Sequence, residues 1–376
     1  MNEFEFIRNL REQTRSRHHS ARVINGIGDD ASVVTQRANH DLIVTTDLLV
    51  EGVDFYQEAT SARMLGHKAL AVSLSDIAAM GARPLWSLLS LGMPTETWID
   101  KFKDEFYEGY FGLADQYGVT LAGGDVSETK VGIVIDSIVI GEVVSGAAVL
   151  RSGARSGDQI FVTGTLGGAA AGLKLIEMGA RVRRQDAGGR QQEAGDAGQG
   201  SVPPAVAGGS NASSHELGNN RQVSAERSEE DAIQTLLLRQ LRPQPRVGWG
   251  LVLGEERLAT AMIDISDGLS SDLTHLCGGS NVGAQIQSAS IPSDPDVIKL
   301  CGRRALDPLA LALHGGEDFE LLFTVRPDDV SRLPKLVDGI SISRIGEITD
   351  QSHIIRLREK DRVWSLEPKG FEHFAT

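Results

Sequence analysis

Cysteine is nearly absent from this sequence: Cys277 and Cys301 are the only two in 376 residues. Two thiols cannot build a disulfide framework, and together with nine scattered histidines they show no zinc-ligand spacing. No apolar run approaches the roughly 18–20 residues that span a bilayer. The opening MNEFEFIRNLREQ is charged where a signal peptide carries its apolar core. The expectation is a protein of the reducing cytoplasm with no membrane partner. Basic residues are also in short supply, 37 Lys and Arg against 51 Asp and Glu, for a formal charge of -14. That balance argues against non-specific nucleic-acid binding, which needs cations to neutralise phosphates. Neither a GxxxxGK[ST] loop nor an HRD or DFG set occurs, which excludes two common designs for handling ATP. An EF-hand calcium loop is missing too.

What is present suits a globular protein of mixed α/β class. Apolar residues make up 41% and charged residues 23%, and the length favours two domains, placed at 1–150 and 151–376. One segment, about 184–230, has no aromatic residue, no Ile or Met, and Leu217 as its single leucine. Such a composition cannot bury enough surface to offset ordering entropy, so a disordered insertion is expected there. The flanks differ. DLIVTTDLLV (41–50) and GIVIDSIVIGEVV (132–144) read as strands. Residues 61–82 carry apolar side chains at helical spacing, and 98–117 predicts a second helix ended by Gly118. A strand, a Gly-rich turn and a helix follow over 153–179. Farther on, AMIDIS, FELLFTV and GISISRIGEIT predict strands, and DGLSSDLTHLC a helix.

Acidic residues recur in one setting, at the edge of an apolar strand and, except in TTD, beside glycine: GIGDD (26–30), TTD (45–47), GGD (123–125) and DISDG (264–268). Asp76 adds a fifth, inside the apolar helix. Carboxylates in such places are costly unless compensated, and gathered together they raise one another's pKa unless cations hold them ionised. Magnesium is the economical cation, since it takes hard oxygen ligands and is shared between a few carboxylates and substrate phosphates. Taken singly, each cluster reads equally well as a turn, and Asp267 as the N-cap of a helix starting at Gly268. The pairs Gly123-Gly124, Gly167-Gly168 and Gly315-Gly316 allow close approach of backbone to a ligand, though a Gly pair alone is more often a turn. Lys68 and His67, early in the acidic helix, are expected to face solvent. His314 is suggestive only by its position before Gly315-Gly316.

The segments GIGDDASVV, TTDLLVEGVDF, GHKALAVSLSDIAAMGARP, GVTLAGGDVSET, LRSGARSGDQIFVTGTLGGAAAGL, MIDISDGLSSDL and LHGGEDFELLFTV, in that order, resemble the thiamine-monophosphate kinases of the aminoimidazole ribonucleotide synthetase superfamily. The resemblance covers nearly the whole chain outside the insertion. It implies an N-terminal α/β domain that forms a dimer barrel through its sheet, a C-terminal α/β domain, and ATP with several Mg²⁺ ions in the cleft between them. It implies metal binding by Asp30, Thr45, Thr46, Asp47, Asp76, Asp125, Asp264 and Asp267, and ATP contacts from Gly124, Arg151 and Ser266. Glu317 and Phe371 would meet thiamine monophosphate, as would position 54, often His in the family but Asp54 here. The implied reaction is the last step of thiamine diphosphate biosynthesis. Its acceptor is itself a phosphate, mostly ionised at pH 7 because its second pKa is about 6, so no general base is expected.

Related activities fit less well. A selenophosphate synthetase needs a reactive Cys near the N-terminus, and no Cys precedes Cys277. A hydrogenase-maturation dehydratase ends in a functional Cys, whereas this chain ends FEHFAT. Aminoimidazole ribonucleotide synthetase is the runner-up enzyme, and a nucleotide sensor without turnover is the alternative of a different class.

Overall fold

The computed structural model describes residues 9–14, 17, 22–25, 27, 33–183, 228–304 and 306–370. Asp30, Phe371 and positions 184–227 of the expected insertion lie outside the described residues. Positions 228–230, grouped with the insertion by composition, instead open a helix. The Ser228 hydroxyl caps it by accepting from the Asp231 N–H at 3.1 Å, and Glu229 pairs with Arg303 and Arg304. Ser followed by three acids is a strong helix start, and it outweighs the polar character of the stretch.

Short strands β1 (Val23–Asn25) and β2 (Val33–Val34) pair with each other. The first large sheet has four strands, β3 (His40–Val50), β4 (Arg83–Met93), β5 (Thr120–Glu128) and β6 (Val134–Val144), in the order β3-β6-β4-β5. Its inner face carries helix α1 (Ala62–Ala79), which follows the Ser61 cap. After β4 come α2 (Thr95–Ile99) and α3 (Phe102–Tyr117). The single helix expected over 98–117 is thus broken at Asp100, whose backbone is extended. Asp is a poor interior residue because its side chain competes for backbone groups. Gly118 ends α3 in the left-handed conformation (φ 66°), as expected.

The second sheet is built from β7 (Gln159–Thr163), β8 (Ala259–Asp264), β9 (Gly283–Gln287), β10 (Leu321–Val325), β12 (Ile340–Thr349), β13 (Ile355–Glu359) and β14 (Arg362–Ser365), with the short β11 (Leu336–Val337) alongside β12. The order is β14-β13-β9-β12-β7-β10-β8, antiparallel except for β9 with β13. Around it lie α4 (Gly168–Glu177), α5 (Glu229–Leu241), α6 (Val247–Glu255), α7 (Leu269–Ser280), α8 (Pro295–Arg304) and α9 (Pro308–His314). One hydrophobic core runs from the first sheet through α1 and α6 to Phe161 and Phe323 of the second. Both sheets are mixed and open in the single chain.

α1 is the wedge between them, with every residue buried except Arg63 and Asp76. A helix that is apolar on all sides belongs in an interior. His67 and Lys68 are buried too, at 4% and 2% exposure, so the expectation that they face solvent is wrong. They sit where α1 meets the second half of the chain: His67 Nε2 donates to the Pro243 carbonyl at 2.7 Å and Lys68 Nζ pairs with Glu317 at 2.6 Å. α1 and α3 cross at bare backbone. A Cβ on Gly66 would lie 1.9 Å from the Phe106 carbonyl oxygen, and one on Gly109 would lie 1.8 Å from that of Arg63.

Two predictions follow from this wedge. Gly66→Ala and Gly109→Ala should each cost about 1–3 kcal/mol or more through forced separation of the helices, read as a lower denaturation midpoint. Gly112→Ala, on α3 but facing open space, should be neutral or slightly stabilising. Burial, opposed by the bond to Pro243, lowers the His67 pKa from 6.5 to about 4. The unfolded chain therefore binds the extra proton first. The stability present above about pH 6.5 should fall by up to roughly 3 kcal/mol as pH drops towards 4. Denaturation of His67→Gln across that window should show a flatter slope.

Candidate active site

Alternation along β3 turns Ile43, Thr45, Asp47 and Leu49 towards α1 and leaves Leu42, Val44, Thr46 and Leu48 on the outer face. On α1, Asp76 reaches the same place, and the Thr45 hydroxyl donates to its carboxylate. From the second sheet, Asp264 at the end of β8 completes the group, its carboxylate accepting from the buried Ser75 hydroxyl at 2.7 Å. Three carboxylates from three elements thus meet in the cleft between the sheets. Burial, with the charges of Asp76 and Asp136 adding, pushes Asp47 up to about 7. Burial likewise raises Asp76, against the Thr45 bond and the positive charge of Arg151. Asp264 is raised well above the ordinary carboxylate range by burial and by Asp76.

Two cavities flank this group. One, of about 210 Å³, is lined by Thr45, Asp76, Arg151 and Asp264 with apolar neighbours that include Ile43 and Met262. The other, of about 310 Å³, has a polar side with Asp47, Asp54, Lys68, Gln240, Ser266, Asp267 and Glu317. Its apolar wall includes Phe55, Tyr56, Leu173, Ile176 and Leu241. The Asp54 carboxylate caps its own turn by accepting from the Val50 N–H at 2.8 Å.

The GGEDFE loop separates its three acids by role. Glu317 faces the larger cavity with a left-handed backbone (φ 63°), its N–H donating to the Ser266 carbonyl at 2.8 Å. Asp318 is buried and accepts from Gly167 and Ala169 at the start of α4, at 2.6 and 3.0 Å. Glu320 is fully buried. Desolvation works against its charge, but Arg246, bonded to both its oxygens, holds its pKa below the ordinary range.

The single chain does not bring every expected ligand together. Thr46 lies on the outer face and donates to Asp136 at 2.6 Å. Ser90 pairs with both Asp136 and Asp125, which puts Asp125 on that outer face as well, exposed on the edge strand β5. Gly124 lets β5 approach β4, since a Cβ there would stand 1.9 Å from the Leu89 carbonyl oxygen. Gly268, not Asp267, is the residue that caps α7. His314 Nδ1 bonds the Ser270 hydroxyl at 2.9 Å and lines neither cavity.

Sequence reasoning missed Asp272. Its carboxylate accepts from the N–H groups of Asp267 and Gly268 at 3.2 and 3.0 Å, and burial with the Asp267 charge pushes it up to about 7. An acid in the first turn of a helix was the available signal. Gln240 had no signal, because only folding brings α5 to the loop at 317.

Among the described residues, no three His, Cys, Asp or Glu side chains are arranged to hold an ion unaided. The donor set nevertheless fits magnesium, which uses one or two carboxylates together with water and substrate phosphates. Asp47 Oδ2 is buried with no hydrogen-bond partner, a hard oxygen left free within the acidic group.

The comparisons with known proteins agree over the whole length. Residues 28–143 match the AIR synthase related protein N-terminal domain, and residues 205–357 the C-terminal domain of the same group. Thiamine-monophosphate kinase of Escherichia coli K12 is 34% identical over 382 aligned positions, covering 100% of this chain and 98% of that protein. The chain belongs to the thiamine-monophosphate kinase family. A crystal structure of a family member from Stenotrophomonas maltophilia K279a has a TM-score of 0.72 at 36% identity, covering 96% of this chain and 97% of that one. AaThiL complexed with AMPPCP and TMP has a TM-score of 0.69 at 28% identity, covering 99% and 97%.

Glu320→Gln should leave the Arg246 guanidinium buried without its charge partner and destabilise the protein by roughly 3–5 kcal/mol. Urea denaturation of the variant beside the unsubstituted protein checks this.

Proposed function

We propose that this protein transfers the γ-phosphoryl group of ATP to thiamine monophosphate, giving ADP and thiamine diphosphate, the last step of thiamine diphosphate biosynthesis. The observation that carries the reading is the carboxylate group of Asp47, Asp76 and Asp264 standing between two cavities in a chain that matches these kinases from end to end. The smaller cavity, with Arg151 beside it, suits ATP phosphates. The larger suits an acceptor with an apolar two-ring body and a phosphate, and AaThiL is known with both AMPPCP and TMP.

An oxygen of the acceptor phosphate attacks the γ-phosphorus, and the bond to the β,γ-bridging oxygen breaks, releasing ADP. The acceptor is already largely ionised, so no side chain need take a proton. The chain's task is to align two anions in line and exclude water. Bound Mg²⁺ supplies neutralisation of phosphate charge. Thr45, Asp47, Asp76, Asp264 and Asp267 are its proposed ligands within one chain, with Asp30, Thr46 and Asp125 completing the set. Gly124, Arg151 and Ser266 are assigned to ATP, and Asp54, Glu317 and Phe371 to the acceptor.

A cytoplasmic homodimer of two-domain chains, divided near residue 150, is the proposed state. The outer face of the first sheet leaves Val44, Leu48 and Val144 more than half exposed, and Thr46 and Asp125 lie on the same face. No helix among the described residues is long and apolar enough to cross a membrane.

With Mg-ATP and thiamine monophosphate, ADP and thiamine diphosphate should form in equal amounts, with none from free thiamine. ATP consumption with formylglycinamidine ribonucleotide instead would move the protein to the cyclase activity. Asp76→Asn and Asp125→Asn should each lower kcat by about 100-fold or more with melting nearly unchanged. Near-normal turnover in either would remove that residue from the ligand set.

A further inference from the structure

Gln240 is a residue that the kinase reading leaves unused. It lies at the end of α5, is 4% exposed, and lines the larger cavity. Its Nε2 donates to the Glu317 carboxylate. A carboxylate only accepts, so this bond fixes the orientation of the amide and turns Oε1 away from Glu317. Glu317 is itself held, by Lys68 Nζ at 2.6 Å and by its own N–H on Ser266. Oε1 is left buried with no partner, and its cavity neighbours on α4 and α5 are the apolar Ala170, Leu173, Ile176 and Leu241. Gln240 thus lines the cavity and carries an amide oxygen that no protein group satisfies.

Its place along the cavity decides what it would meet. Asp76, Val72 and Lys68 lie four residues apart on one side of α1, so Lys68 and the Glu317–Gln240 pair stand about 12 Å along the helix from the metal-binding end. An acceptor whose phosphate sits among the carboxylates extends its far ring towards Gln240. In thiamine monophosphate that ring is an aminopyrimidine carrying an exocyclic N–H donor. Resting on the kinase reading, we propose that Gln240 Oε1 accepts a hydrogen bond from this amine and selects an aminopyrimidine over an oxopyrimidine.

The test compares thiamine monophosphate with oxythiamine monophosphate, in which an oxo group replaces the amine. The unsubstituted protein should favour the amine by roughly 10–100-fold in kcat/KM, because the analogue sets acceptor against acceptor. Gln240→Leu, of similar size, should cut that preference below about threefold. The change should come through a higher KM for thiamine monophosphate, with kcat and the KM for ATP little altered. Gln240→Met gives the same readout should the leucine variant melt early. An unchanged preference, or equal losses on both acceptors, would overturn the assignment of Gln240 while leaving the kinase intact. Absence of thiamine monophosphate turnover by the unsubstituted protein would overturn the kinase reading and this assignment together.

Discussion

Helix α1 carries Asp76 into a site that contributions from both sheets must reach, and its burial on nearly all sides sets the terms for the rest of the molecule. To lie between two sheets it needs an apolar surface all round and bare backbone where α3 crosses it, which Gly66 and Gly109 provide. The same position forces every polar group on it to have a purpose. Ser73 donates to the Ser137 carbonyl, Ser75 to Asp264, His67 to Pro243, and Lys68 pairs with Glu317. The helix therefore ties the two halves together through polar contacts as well as apolar ones.

Placing like charges beside this wedge has an electrostatic consequence. Burial raises the pKa of Asp47, Asp76 and Asp264 in the cleft, the charge of Asp76 adds to the shift of the other two, and Arg151 partly offsets that of Asp76. Left alone, such a group takes up protons. On the proposed reading, divalent cations and phosphate make it a preorganised field for phosphoryl transfer, where catalysis depends on position and charge rather than on a nucleophile or base. In the same proposal, the cavities on either side give donor and acceptor separate approaches to that field. The GGEDFE loop shows the supporting arrangement: Asp318 and Glu320 are spent on α4 and Arg246, so that Glu317 can stand in the cavity wall.

Much of this was legible before folding. β-Branched runs marked β3 and β6, helical spacing marked α1, and three of the acids singled out in the sequence, Asp47, Asp76 and Asp264, come together in the cleft. Local signals misled where a neighbour overrode them. Asp100 broke one expected helix in two, and Ser228 with its three following acids began α5 inside what composition assigned to the insertion. Lys68 and His67 were expected at the surface because charge and polarity normally go there, and nothing local shows that a second sheet covers them.

The sequence by itself determined the class of elements, the family, and the residue types available for metal and phosphate. Those properties depend on neighbours within a turn or a strand, and on motifs short enough to read in line. Tertiary structure alone decided that Thr45 and Asp47 face the cleft while Thr46 and Asp125 lie on the opposite face of the sheet. It alone brought Gln240 against Glu317. A side chain's partners across 77 positions depend on how sheets and helices pack, and no local periodicity encodes that.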